Sequence, residues 1–95
     1  MLLGTFNKQP IERYDYDISY AEWLTSGDNV EYANVEVFPL TDDGLHIESV
    51  TVIDPRIKIW VTGGRNGGTY KGTITIGTAD GRVKQDEFKI KVKDI

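Results

Sequence analysis

The chain has 95 residues, a net charge of −4, and 39% apolar and 27% charged residues, which suits one globular domain and leaves no room for two. It has no cysteine, so disulfide staples, thiolate zinc sites and cysteine nucleophiles are excluded. The acidic balance runs against nucleic acid, whose binding domains carry a basic excess on one face, and no run approaches the roughly 18 apolar residues of a membrane span.

Met1-Leu2-Leu3 is too short for a signal peptide and lacks its basic start, which points to synthesis in a cytoplasm. Residues 1–10 read as an irregular N-terminal arm ending at Pro10, which disfavours helix for Gln9 before it. A single domain over 11–95 follows. Ile11 to Ile18 is its first strand, with Tyr14, Tyr16 and Ile18 on one face and Asp15 and Asp17 on the other. The stretch 19–24 breaks the alternation. Ser19 and Glu22 have capping-box spacing, which predicts a short helical turn near residues 20–24. Trp23 and Leu24 then plug one end of the core. Ser26-Gly27-Asp28-Asn29 is a turn signal.

Val30 to Phe38 is the next strand, with Ala33, Val35 and Val37 inward and Pro39 ending it. Thr41-Asp42-Asp43-Gly44 carries a hairpin signal. Between Leu45 and Ile53 the phase changes, because Leu45 and Ile47 point one way and Val50 and Val52 the other. One extra residue, a bulge near Glu48-Ser49, reconciles them. In the next strand Ile57, Ile59 and Val61 alternate with Arg56, Lys58, Trp60 and Thr62. A glycine-rich segment, 63–68, leads into Tyr70, Gly72, Ile74 and Ile76, which alternate with Lys71, Thr73 and Thr75. Glycines at this density imply several residues at positive φ. Asp80-Gly81 closes a hairpin onto Arg82 to Val92, where Phe88, Ile90 and Val92 face inward. Val83 is out of phase with them and predicts a bulge or bend near Lys84-Gln85. About seven short strands with no long helical period make an all-β chain, an immunoglobulin-like antiparallel β-sandwich.

Few residues converge for chemistry. His46 is the lone histidine and stands beside a turn, with no nucleophile signalled nearby. Asp15 and Asp17 share a strand face but lack the spacing of a calcium loop. The glycines at 63–68 lead into a strand, whereas a phosphate loop leads into a helix. Tyr70, just after this loop, reads as a structural tyrosine bonding back to upstream backbone. The residues best suited to touch a partner are Trp60 with its neighbours Arg56 and Lys58, since tryptophan and arginine favour interface hot spots. Arg65 and Asn66 join them at the loop apex. Exposed aromatics such as Trp60 and Tyr32 also fit a second reading, a carbohydrate-binding or adhesion module.

Several features occur together in a recognisable order: Tyr14-Asp15-Tyr16, Trp23-Leu24, Gly27-Asp28, Trp60-Val61-Thr62-Gly63-Gly64, Gly68-Thr69-Tyr70 and Asp80-Gly81-Arg82. In that order the chain resembles small tailed-bacteriophage virion structural proteins of the fibre–tail adaptor type. The resemblance implies a non-enzymatic virion component, made in the bacterial host cytoplasm and present in many copies. It implies docking to tail, fibre or portal proteins, with no catalytic residue, metal or cofactor. Leu40 to Asp54 is longer and more acidic than in that family, which leaves a head-decoration role open.

Overall fold

The computed structural model describes residues 2–94. These hold seven strands and no helix: β1 (Leu2–Lys8), β2 (Tyr14–Ser19), β3 (Val30–Phe38), β4 (Leu45–Ile53), β5 (Arg56–Gly63), β6 (Thr69–Thr78) and β7 (Val83–Val92). They form a four-stranded sheet in the order β1-β7-β6-β3 and a three-stranded sheet in the order β2-β5-β4. The body is elongated, 44 × 21 × 20 Å.

Period-two alternation builds the core. β5 runs through the middle of the smaller sheet, and its Ile57, Ile59 and Val61 are fully buried. Ile74 and Ile76 of β6, with Phe88, Ile90 and Val92 of β7, meet them from the larger sheet. Each such side chain contributes about 1.5–3 kcal/mol when buried. Gly72 stands beneath the Phe88 ring, where a Cβ would come within 2.2 Å of it. The missing side chain is what lets that ring lie flat against the sheet.

The phase change in β4 is a bulge, as its sequence implies. Ile47 pairs with Val61 and Ser49 with Trp60, leaving Glu48 as the extra residue. Ala33, Val35 and Val37 turn inward on β3, as expected.

Three expectations are corrected. The first residues are not an irregular arm: β1 pairs in parallel with β7, Phe6 beside Ile90 and Lys8 beside Val92. Phe6 closes the gap between the sheets, its ring 4.8 Å from that of Tyr16. Next, β7 has no bulge at Lys84-Gln85, because its register with β6 is unbroken from Lys91 to Val83. Val83 simply faces out, and the inward slots are taken by Lys84 and Asp86, whose charges lie 3.3 Å apart with Asp86 only 1% exposed. Thirdly, Asp43-Gly44 makes no hairpin, since β3 and β4 belong to different sheets. Residues 20–24 do form a single turn of the helical kind, as expected: the Leu24 N–H donates to the Tyr20 carbonyl at 3.0 Å, as does the Trp23 N–H, and the turn does not continue into a helix.

The lower end, where β5 begins, is closed by side chains. The Arg82 guanidinium lies 4.1 Å from the Trp23 ring centroid and donates to the Trp23 carbonyl at 3.2 Å. Asp28 accepts the Asn29 N–H at 2.9 Å and the Asp80 N–H at 3.0 Å. Burial opposes its ionisation, but hydrogen bonds from Thr78, Asp80 and Asn29 and the Arg82 charge outweigh that and hold its pKa below the usual range. Asp54 accepts the Val30 N–H at 2.8 Å. Burial first, then the charge and hydrogen bonding of Asp86, push the Tyr20 phenol upward.

Candidate docking surfaces

The smaller sheet carries Arg56, Lys58 and Trp60 on the outer phase of β5, and β2 and β4 border them. The β2 register sets Asp15 beside Trp60 and Asp17 beside Lys58. Lys58 reaches Asp15 at 3.5 Å, so one carboxylate of that pair neutralises a strand cation. Arg13, which sequence reasoning passed over, covers Trp60 with its guanidinium 3.9 Å from the ring centroid. The same guanidinium donates to both oxygens of the bulged Glu48, from Nε to Oε2 at 2.9 Å and from Nη2 to Oε1 at 2.5 Å. Hydrogen bonding to Arg13 holds the Glu48 carboxyl below its ordinary range and raises the guanidinium in turn. Trp60 is therefore part-buried within a stack that ties the segment before β2 to the β4 bulge. The signal in the sequence was Glu48 itself, a charge placed on the one residue that the bulge thrusts outward.

Arg65 and Asn66 lie at the opposite, upper end, beyond the last residue of β5. At strand spacing Arg56 sits roughly 23 Å from that end, so the structure divides the five predicted contact residues between a face and a tip. The Arg65 side chain meets Asp43 of the β3–β4 turn at 3.3 Å, both groups being about two-thirds exposed. Such a pair is worth at most about 1 kcal/mol. The Asn66 side-chain oxygen accepts the Asp94 N–H at 2.9 Å. The loop beneath is fixed by Tyr70, whose hydroxyl accepts the Arg65 N–H at 3.0 Å, as expected of a tyrosine bonding back to the backbone. Gly63, Gly64 and Gly67 all have positive φ. Gly64, at φ +108°, presses so close to Val92 that a Cβ would meet its Cγ2 at 2.6 Å. A shallow hollow of about 310 Å³ opens here, lined by Pro39, Thr41, Arg65, Asn66, Thr69 and Tyr70.

Lys8 was also missed. Its ammonium is buried at the end of β1 and donates to the carbonyls of Gly63 at 2.6 Å, Gln9 at 2.8 Å and Pro10 at 3.4 Å. Burial lowers its pKa, with Glu12 opposing. Three carbonyls match the three donors of an ammonium, so this lysine staples the first strand to the glycine loop. A lysine ending an apolar segment gives no local sign that its charge will turn inward.

Exposed apolar side chains form a further feature of the upper end. Phe38, on the outward phase of β3, is 74% exposed, and Leu40 just past Pro39 is 69% exposed. Ile11, in the β1–β2 connection, is 93% exposed. The sequence held a cue in the phase of Phe38, which opposes that of Val35 and Val37. His46 contacts the Asp42 carbonyl through Nε2 at 3.1 Å. Among the described residues no group of three histidine, aspartate or glutamate side chains is placed to hold a metal ion.

The arrangement offers paired charges, a capped tryptophan and loop tips, which suit contact with a macromolecule better than turnover of a small one. No curated protein matches the chain. A family model described as Podophage GP4 fiber-tail adaptor protein gp77 matches residues 8–91. That match runs from the buried lysine of β1 to the penultimate residue of β7, and the chain belongs to this family of phage fibre–tail adaptors.

Proposed function

We propose that this protein is a non-enzymatic docking module that joins one virion component to another at the tail, acting as a rigid spacer. The observation that carries the reading is the family match over nearly the whole sandwich, joined to a surface on which the described residues bring no catalytic groups together. Its partners are other virion proteins of the tail, fibre or portal. Several copies act together in the particle, so that modest affinity per copy is multiplied. Synthesis takes place in the host cytoplasm before incorporation into the virion. The proposed contacts are the Arg56, Lys58 and Trp60 face and the Arg65 and Asn66 tip.

We also infer an immunoglobulin type for the sandwich. The order β7-β6-β3 facing β2-β5-β4 matches strands G-F-C facing B-E-D. Tyr70 supports it further, since it starts the strand corresponding to F and bonds back to the preceding corner.

The test is capture of purified tail, fibre and portal proteins on the immobilised full chain, with light scattering to count copies. Retention of at least one of these proteins is the expected result. Failure to retain any of them removes the docking reading.

A further inference from the structure

Charge is divided unevenly along this chain. From Tyr14 to Pro55 there are ten acidic residues and no lysine or arginine. The fold places β3 and β4, both from this stretch, at one side of the sandwich, each as the last strand of its own sheet. Asp43 and Glu48 are engaged by Arg65 and Arg13. Glu31, Glu36 and Asp42 are exposed and make no ion pair among the described residues. Between the two strands lies an apolar groove of about 340 Å³, lined by Val35, Val37, Leu40 and Ile47, with Glu36 and His46 at its margins.

Most of the β3 edge is also unguarded. Proteins blunt free edges with lysine, proline or bulges. β1 has a register break after Leu2, β4 has the Glu48 bulge, and β3 has one break, confined to its start between Val30 and Tyr32. From Tyr32 to Phe38, β3 keeps an unbroken register with β6 and contains no proline, lysine or arginine. Its hydrogen-bonding groups are used by β6 on one side only. Pairing with a second β3 would set acidic strands against each other, so a second copy is a poor occupant.

We propose that the free edge of β3 takes an extended, basic segment of a partner protein as an added strand. Alternate apolar side chains of that segment enter the groove beside Val35 and Val37. The intervening lysine or arginine side chains meet Glu31, Glu36 and Asp42. Main-chain hydrogen bonds supply affinity, and the alternation with its charge supplies specificity. This inference rests on the docking reading and names a surface for it.

The probe is a capped synthetic peptide matching the 9 residues of β3 in length and alternating valine with lysine. A valine–glutamate peptide is its control. Amide exchange of the full chain is followed by NMR. The lysine peptide is expected to slow exchange along Tyr32–Phe38 and to bind at least about tenfold more tightly than the control. Glu36→Lys, at an exposed position, removes that preference while the spectrum keeps its folded dispersion. Equal binding of the two peptides, no protection, or protection confined to β1 or β2 overturns the proposal. The Glu36→Lys protein is also offered to the tail, fibre and portal proteins. Capture equal to that of the natural chain overturns the edge proposal and leaves docking intact, whereas no capture by the natural chain removes docking itself.

Discussion

At the lower end of the sandwich charges turn inward: Asp86 and Lys84 fill core-facing slots, and Arg82 is sandwiched between Trp23 and Asp28. At the upper end the Lys8 ammonium is also held inside, but Arg65 and Asp43 meet in solvent and the loops are tied largely by backbone bonds such as Gly67 N–H to Val92 O at 2.8 Å. Inward charges need partners and so fix a single geometry. Outward ones cost little and stay available to another molecule. The lower end thus buries several charges against one another, whereas the upper end buries one and leaves a pair in solvent.

Substitutions can break this contrast. The largest effect is expected from Asp86→Ala, which strands the Lys84 charge and costs about 3 kcal/mol of folding free energy, measured by urea denaturation. A cost below that of an ordinary surface change would place the anchoring elsewhere. Gly64→Ala, at the upper end, should cost about 2 kcal/mol, from strain at positive φ and the clash with Val92. Its effect would show that end to be held by close packing as well as by the Lys8 and Tyr70 hydrogen bonds.

Acid separates the regions further. Asp28 and Glu48 both have folded pKa values below the ordinary carboxylate range. Their contribution is full above that range and is lost as pH falls through the lowered values. The melting temperature should therefore drop below about pH 4. An Asp28→Asn variant should show a shallower drop, and an unchanged slope would dismiss Asp28 as a source. The smallest effect belongs to Leu40→Ser, within about 0.5 kcal/mol because the side chain is largely in water. A larger loss would show that the upper apolar tip supports the fold.

Alternation in the sequence revealed β2 to β7 because one face of each strand is apolar. It also located the Glu48 bulge, since only an added residue restores the inward phase of Val50 and Val52. The same logic failed in β7, where inward slots hold Lys84 and Asp86, so the apolar phase breaks although the register does not. It failed at β1 as well, where Gly4 and the polar Asn7 dilute the pattern and parallel pairing with a strand some eighty residues away leaves no local trace. For the residues proposed to dock, strand phase placed Arg56, Lys58 and Trp60 on one outer row. The cover that Arg13 lays over Trp60 depends on a bulge four strands' lengths away in sequence, and no local pattern encodes it.

The parallel pairing of β1 with β7 has a mechanical consequence. The chain enters β1 at Leu2, level with Glu87 midway along β7, and leaves β7 at Val92, level with Lys8. Tension between those two points pulls the two strands past each other, so their rungs share the load in shear and do not peel open one by one. A small part spliced between larger bodies would then resist stretching best along its strands.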